Sequence, residues 1–131
     1  MRIEILESFA DQTGCRHVRF KTDFGVTFAK WKCPHVPTMG TSYCVEFDID
    51  AIVDAASNAR IVEPGPPCIG GDDSHVHLRA LVESADDDGV AYLRMARDAT
   101  ALIETSGNIA AGCTIQITVP FGAFWVTCIG H

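Results

Sequence analysis

The stretch that decides the fold is residues 16–32, RHVRFKTDFGVTFAKWK. Apolar and polar side chains alternate on both sides of residues 22–25 (TDFG), which are typical of a hairpin turn because glycine adopts a positive φ at little cost. Alternation with a period of two predicts β-strands that each bury one face. The residues predicted to face the core are Val18, Phe20, Val26 and Phe28.

The second half of the chain weakly repeats the sequence pattern of the first half. ILES at residues 5–8 returns as LVES at residues 81–84, and Gly14, which ends a predicted turn at residues 11–14, returns as Gly89. The order of alternating runs, turns and glycines is repeated as well. Self-similarity of this kind predicts one supersecondary unit that is used twice.

A proline- and glycine-rich segment separates the two halves. PGPP at residues 64–67 stiffens the chain, and the glycines that follow loosen it. The segment predicts a first small β-barrel at residues 1–64, a linker at residues 65–74 and a second small β-barrel at residues 75–131.

The rhythm of five short strands in each half, with a glycine before the fourth, is similar to the OB fold and to SH3-like barrels. The resemblance implies a mostly β protein with two tandem small Greek-key or OB-like barrels. One larger β-barrel built from two repeats is the alternative. Neither half has a convincing helix between its third and fourth strands, and the one short helix predicted lies at residues 51–56 (AIVDAA).

Charge and cysteine content bear on partners and location. The chain of 131 residues has a net charge of −7. Residues 65–131 carry three basic and eight acidic side chains, or −5, so the overall field disfavours nucleic acid.

The six cysteines form no CxxC pair and are expected to be reduced and mostly buried, since a disulfide needs an oxidising compartment. The chain has no apolar stretch of membrane-spanning length and no apolar leader, so we expect a cytoplasmic protein without a membrane partner.

The acidic character of the second half favours a protein partner. Three aspartates fill one predicted turn, and compact acidic proteins without catalytic motifs often occupy a basic surface on another protein. The sequence therefore predicts a non-enzymatic, cytosolic binding module of the immunity or inhibitor type. An unpaired edge strand would offer a route to a homodimer. The predicted partner-binding residues are Glu83, Asp86, Asp87 and Asp88.

The basic and aromatic residues 16–32 support an alternative function. Five basic side chains stand there against the single acid Asp23, a local charge of +4. In an OB-like barrel these strands would be the second and third, and the resemblance implies that their face binds oligonucleotides or oligosaccharides. The ligand-binding residues of this alternative are Arg19, Lys21, Phe24, Lys30 and Trp31.

Metal binding and catalysis receive little support from the sequence. His75 and His77 share one strand face, but two ligands do not make a metal site, so we predict no metal and no cofactor. No Gly-x-Ser-x-Gly elbow or phosphate-binding glycine loop occurs. A small enzyme with its site in a cleft between the barrels is the third hypothesis.

Overall fold

The computed structural model describes residues 1–72, 74–96, 99–106 and 108–129. Asp73 of the predicted linker lies outside these ranges, as do residues 97–98, 107 and 130–131 of the predicted second barrel. Twelve strands and one 3₁₀ turn, at Phe121–Ala123, occur in the described residues. The strands are β1 (Arg2–Ala10), β2 (Arg16–Thr22), β3 (Gly25–Trp31), β4 (Ser42–Ile49), β5 (Ile52–Val53), β6 (Ala59–Val62), β7 (Cys68–Gly71), β8 (His75–Ala85), β9 (Val90–Ala96), β10 (Ala99–Thr105), β11 (Thr114–Pro120) and β12 (Phe124–Cys128).

Five of these strands form a closed barrel. β1, β2 and β3 make an antiparallel meander, β3 pairs in parallel with β12, and β12 pairs antiparallel with β4. β4 then pairs antiparallel with β1 and closes the ring. The prediction of a mostly β protein with a small barrel is confirmed. The closing strand β12 comes from the segment assigned by sequence to the second barrel.

The other seven strands extend the sheet beyond the barrel. The 11-residue strand β8 pairs with β7, β9 and β11, and β9 continues to β10. β10 pairs in parallel with β5, and β11 pairs antiparallel with β6. The chain link between β5 and β6 is the turn at residues 54–58. These strands join the barrel through a parallel bridge between Gly25 of β3 and Ile69 of β7.

The core lies inside these strands, and the inward phase of β3 differs from the prediction. Val18 and Phe20 of β2 are fully buried, as expected. Their direct partners across the ladder are Ala29 and Thr27, and directly opposite residues share a face of the sheet. The inward residues of β3 are therefore Thr27, Ala29 and Trp31. The prediction that Val26 and Phe28 belong to the core is wrong, since both are only half-buried on the outer side.

The helix predicted at residues 51–56 is also wrong. Ile52 and Val53 are β-branched residues and pair with the edge of β10, where tertiary pairing outweighs a weak helical pattern. Asp54 then ends the strand, because its carboxylate accepts the backbone amide of Ala56. Asn58 accepts the amide of Asp54 in return, which fixes a turn in place of a helix.

One disulfide joins Cys33, just after β3, to Cys128 at the end of β12. The expectation that all cysteines are reduced is wrong for this pair. The parallel pairing of β3 with β12 brings the two residues together, to a Cα–Cα distance of 5.4 Å, although 95 positions separate them in the chain. Cys44 is exposed, against the expectation that it is buried, because it lies on the outer side of β4.

Candidate functional site

The outer side of the barrel carries a surface that we call the basic-aromatic face. Strand register places Phe9, His17, Lys30 and Trp125 opposite one another in a row across β1, β2, β3 and β12. A second row consists of Glu7, Arg19 and Phe28. The full face comprises Phe9, His17, Arg19, Lys21, Phe28, Lys30, Lys32, Phe121 and Trp125.

Aromatic rings cover the middle of this face. Phe9 stacks on the imidazole of His17 with ring centroids 5.5 Å apart, and the ring centroid of Phe121 lies 4.6 Å from that of His17. Phe28 meets Phe9 and Phe121 edge-on, at 6.4 and 6.0 Å. The exposed fraction of Phe9 is 39 %. A contiguous, partly exposed aromatic surface of this kind suits the stacking of planar ligands.

Two lysines flank the aromatic surface. The Nζ atoms of Lys30 and Lys32 lie 4.7 and 5.0 Å from the ring centroid of Trp125, within the range of cation–π attraction. The indole is half-buried, so one ring holds two positive charges close together near solvent. The site can therefore offer charge to an anion and a ring face to a base.

The structure separates the ligand-binding residues predicted from the sequence. Arg19 and Lys30 lie on the basic-aromatic face, and Arg19 contacts Glu7 with a nitrogen–oxygen distance of 3.5 Å. Lys21 is exposed at the margin and lines an open pocket of about 260 Å³. Trp31 points inward with 6 % exposure and donates its indole N–H to the carbonyl of His35 at 2.7 Å. Phe24 lies half-buried in the hairpin turn, against the core.

Sequence reasoning missed four aromatic residues of the face: Phe9, Phe28, Phe121 and Trp125. Phe28 could have been found, because it is in phase with Lys30 and Lys32, whose charges mark the solvent side of β3. The other three lie on β1, β12 and the 3₁₀ turn, and only the closure of the barrel brings them to β2 and β3.

The β1–β2 hairpin holds a second cluster at one end of the same face. Asp11, Cys15 and His17 each place one potential metal-ligand atom within 4.8 Å of the others. Asp11 Oδ2 lies 2.7 Å from His17 Nε2, and Asp11 Oδ1 accepts the backbone amides of Thr13 and Cys15 at 2.8 and 3.0 Å. These bonds, the one from His17 first, hold the pKa of the Asp11 carboxyl far below its usual range. Asp11 is therefore ionised at neutral pH.

The predicted acidic surface lies at the β8–β9 hairpin. Glu83 is paired with Arg94 at 2.6 Å, which balances its charge. Asp86 accepts the backbone amides of Asp88 and Val90 at 3.0 and 3.1 Å and so serves as a turn former. Asp87 and Asp88 are exposed at the tip.

The two histidines of β8 lie apart from the other clusters. His75 and His77 are exposed, and a ring nitrogen of each contacts a hydroxyl, that of Ser74 and of Thr118 respectively. His75 also lines an open groove of about 490 Å³ beside β6 and β11. Among the described residues, only the Asp11 cluster brings three potential metal ligands together.

Comparisons with known proteins give no assignment. The chain matches no protein-family model, no curated protein and no solved structure at a significant level. In the described part of the chain, no helix is long and apolar enough to cross a membrane.

Proposed function

We propose that this protein binds single-stranded nucleic acid on the basic-aromatic face, with bases stacked on its rings and phosphates held by Lys30, Lys32 and Arg19. The observation that carries the proposal is the clustering of both lysines on Trp125, beside Phe28 and Phe121. Such a platform combines the two elements that sequence-tolerant single-strand binding uses, positive charge and partly exposed aromatic rings.

The architecture supports this proposal. The barrel order β1-β2-β3-β12-β4 begins with a three-stranded meander and contains one parallel pair, β3 with β12, which agrees with an OB-like barrel. In that fold the surface of the second and third strands is the one used for oligonucleotides. Here it is the surface of β2 and β3, where Arg19, Phe28 and Lys30 face outward. The second small barrel predicted at residues 75–131 stays a prediction, since β12 of that segment belongs to the first barrel.

The net charge of −7 opposes nucleic-acid binding only at long range. Screening at physiological ionic strength limits the reach of distant charges to about 8 Å, so the lysines beside a bound phosphate dominate. Glu7 lies next to Arg19 and reduces its contribution. We therefore expect modest affinity that falls steeply with salt.

A salt titration of binding tests the proposal. Fluorescence anisotropy with a labelled oligothymidylate of about 15 nucleotides should show binding at low salt. Lys30→Ala/Lys32→Ala should weaken it and reduce the slope of log K against log salt by about 1.4, since each single-strand phosphate contact contributes about 0.7. Trp125→Leu should raise Kd about fivefold or more through lost stacking. It should also abolish the ligand-induced quenching of tryptophan emission, because Trp31 is buried.

Arg60→Gln is the matched control. It removes one positive charge from β6, where Arg60 is exposed and contacts Gln116 at 3.3 Å, and it should leave binding unchanged. Absence of binding at low salt would contradict the proposal, as would equal losses in Arg60→Gln and Lys30→Ala/Lys32→Ala. Binding of a neutral oligosaccharide in place of the oligonucleotide would contradict it too.

The acidic hairpin is the second candidate surface, for a basic protein partner in a non-enzymatic inhibitory role. The exposure of Asp87 and Asp88 at the tip favours it, while the pairing of Glu83 with Arg94 reduces its charge. Asp87→Asn/Asp88→Asn should slow association with a basic protein at low salt and leave dissociation nearly unchanged. Association rates that are indifferent to both salt and this double substitution would exclude the hairpin.

A further inference from the structure

The cluster of Asp11, Cys15 and His17 follows from the geometry of the β1–β2 hairpin. Asp11 and Cys15 face each other at the base of the turn, where the amide of Asp11 donates to the carbonyl of Cys15 at 2.9 Å. Cys15 directly precedes β2, and His17, the second residue of that strand, lies on its outer side, so the thiol and the imidazole come close together. This side also carries Phe9, the ladder partner of His17.

The β8–β9 hairpin shows what the turn itself requires. It repeats the same turn, with the amide of Asp86 donating to the carbonyl of Val90 at 2.9 Å and with Gly89 at a positive φ of 81°. The positions of Cys15 and His17 are taken there by Val90 and Tyr92. An aspartate and a glycine therefore suffice for this turn, and the thiol and the imidazole of the first hairpin need another explanation.

His17 is held in place, with one ring nitrogen unused. The residue is 3 % exposed, between Phe9 and Phe121, and its Nε2 faces Asp11. Its Nδ1 is buried and has no hydrogen-bond partner among the described residues. The nitrogen on the side of the cluster is Nε2, and it is the atom that would bind a metal after losing its proton.

We propose that Asp11, Cys15 and His17 bind one zinc-class divalent cation. Thiolate, imidazole and carboxylate are the donors that Zn²⁺ takes in proteins, and three protein ligands leave a fourth position for water or a substrate. Tetrahedral bonds of about 2.0–2.3 Å place ligand atoms about 3.3–3.7 Å apart. The observed cluster, within 4.8 Å, reaches that spacing by small side-chain rotations, in which Asp11 and His17 exchange their direct bond for bonds to the metal.

Cobalt substitution tests the site on the intact protein. After chelator treatment under a non-thiol reductant, one equivalent of Co²⁺ should give intense visible bands of tetrahedral cobalt and a thiolate-to-cobalt charge-transfer band in the near ultraviolet. Zn²⁺ should bleach both bands. Cys15→Ser should abolish the charge-transfer band. Asp11→Asn and His17→Gln should each weaken cobalt binding more than about tenfold, because losing even a residue that only hydrogen-bonds a metal ligand lowers metal affinity about tenfold or more.

Cys44→Ser is the matched control, since Cys44 is an exposed free cysteine of β4 and should leave the spectrum intact. Cys15→Ser is nearly isosteric, and an unchanged urea midpoint will show that it folds. Absence of the band in the wild-type protein, or its retention in Cys15→Ser, would overturn the proposal. So would equal loss in Cys44→Ser, which would mark the cobalt as bound by surface thiols. The outcome does not depend on nucleic-acid binding.

Discussion

At the scale of single residues, corresponding aspartates in two similar turns have different contacts. Asp11 and Asp86 each accept two backbone amides, but only Asp11 also faces a buried histidine. The sequence shows both aspartates and both glycines. It does not show that Phe9 and Phe121 enclose His17, because alternation within β2 predicts an outward and hence solvated side chain. Burial on an outer face comes from elements distant in the chain.

Asp11→Asn should make the protein less sensitive to acid. The pKa of Asp11 in the folded state lies below its ordinary value of 3.8, so its contribution to stability is present at neutral pH. That contribution is lost as the pH falls below about 4 and through the lowered pKa. Urea midpoints at neutral and acid pH should therefore differ less in the variant than in the wild type. Asp86→Asn, which has no histidine partner, should change this difference less, and an equal effect of the two substitutions would contradict the role of His17.

At the scale of elements, alternation predicts β2 and β3 but the inward phase of only β2, while β5 and β7 lie in the predicted helix and the predicted linker. The charges of β2 alternate with Val18 and Phe20 and so identify its inner face. In β3 both faces carry apolar or aromatic side chains, and Trp31, which is in phase with Ala29, was mistaken for a surface residue. Hydrophobicity could not decide between the two faces. The register with β2 decides it, since Ala29 lies opposite Val18.

The turn between β2 and β3 contains a position where glycine is required. Gly25 has a φ of 148°, and a Cβ added there would lie 1.8 Å from the carbonyl oxygen of Ile69 in β7. Gly25→Ala should therefore destabilise the protein by about 3 kcal/mol or more, as measured by urea unfolding. Gly14→Ala is the control, because Gly14 has a φ of 84° but nothing within 4 Å of the added atom. It should cost only about 1–2 kcal/mol from backbone strain, and equal losses would show that the contact with β7 does not matter.

At the scale of the whole molecule, the ends of the chain are joined in one barrel. The sequence predicted a β protein with an internal repeat, and the hairpins of both halves agree with it. It did not predict that β12 pairs with β3 and β4, because contacts between distant segments leave no local pattern. The division into two barrels by a linker at residues 65–74 remains a prediction. The basic-aromatic face could be predicted only in part for the same reason. Arg19 and Lys30 belong to one hairpin, whereas Phe121 and Trp125 reach the face only because β12 pairs with β3.

The disulfide between Cys33 and Cys128 should contribute strongly to stability. It closes a loop with a sequence separation of 95, and loops of that size restrict the unfolded chain by an amount worth about 2–5 kcal/mol. Cys33→Ser/Cys128→Ser should lower the free energy of unfolding by about this amount, while Cys44→Ser should change it little. Thiol counting on the denatured, unreduced wild type should find four free cysteines. A count of six would show that the bond does not form under the conditions used.

The position of β12 has a consequence for how the protein is made. A ribosome synthesises β1 to β4 early, but their barrel cannot close until residues 124–128 have left the exit tunnel. Until then β3 and β4 each have an unpaired edge that can pair with a strand of another chain. Nascent chains on one messenger lie close together, which favours such pairing. Folding of β1 to β4 into a barrel therefore waits for β12, and we expect slow translation between β4 and β12 to favour aggregation over assembly.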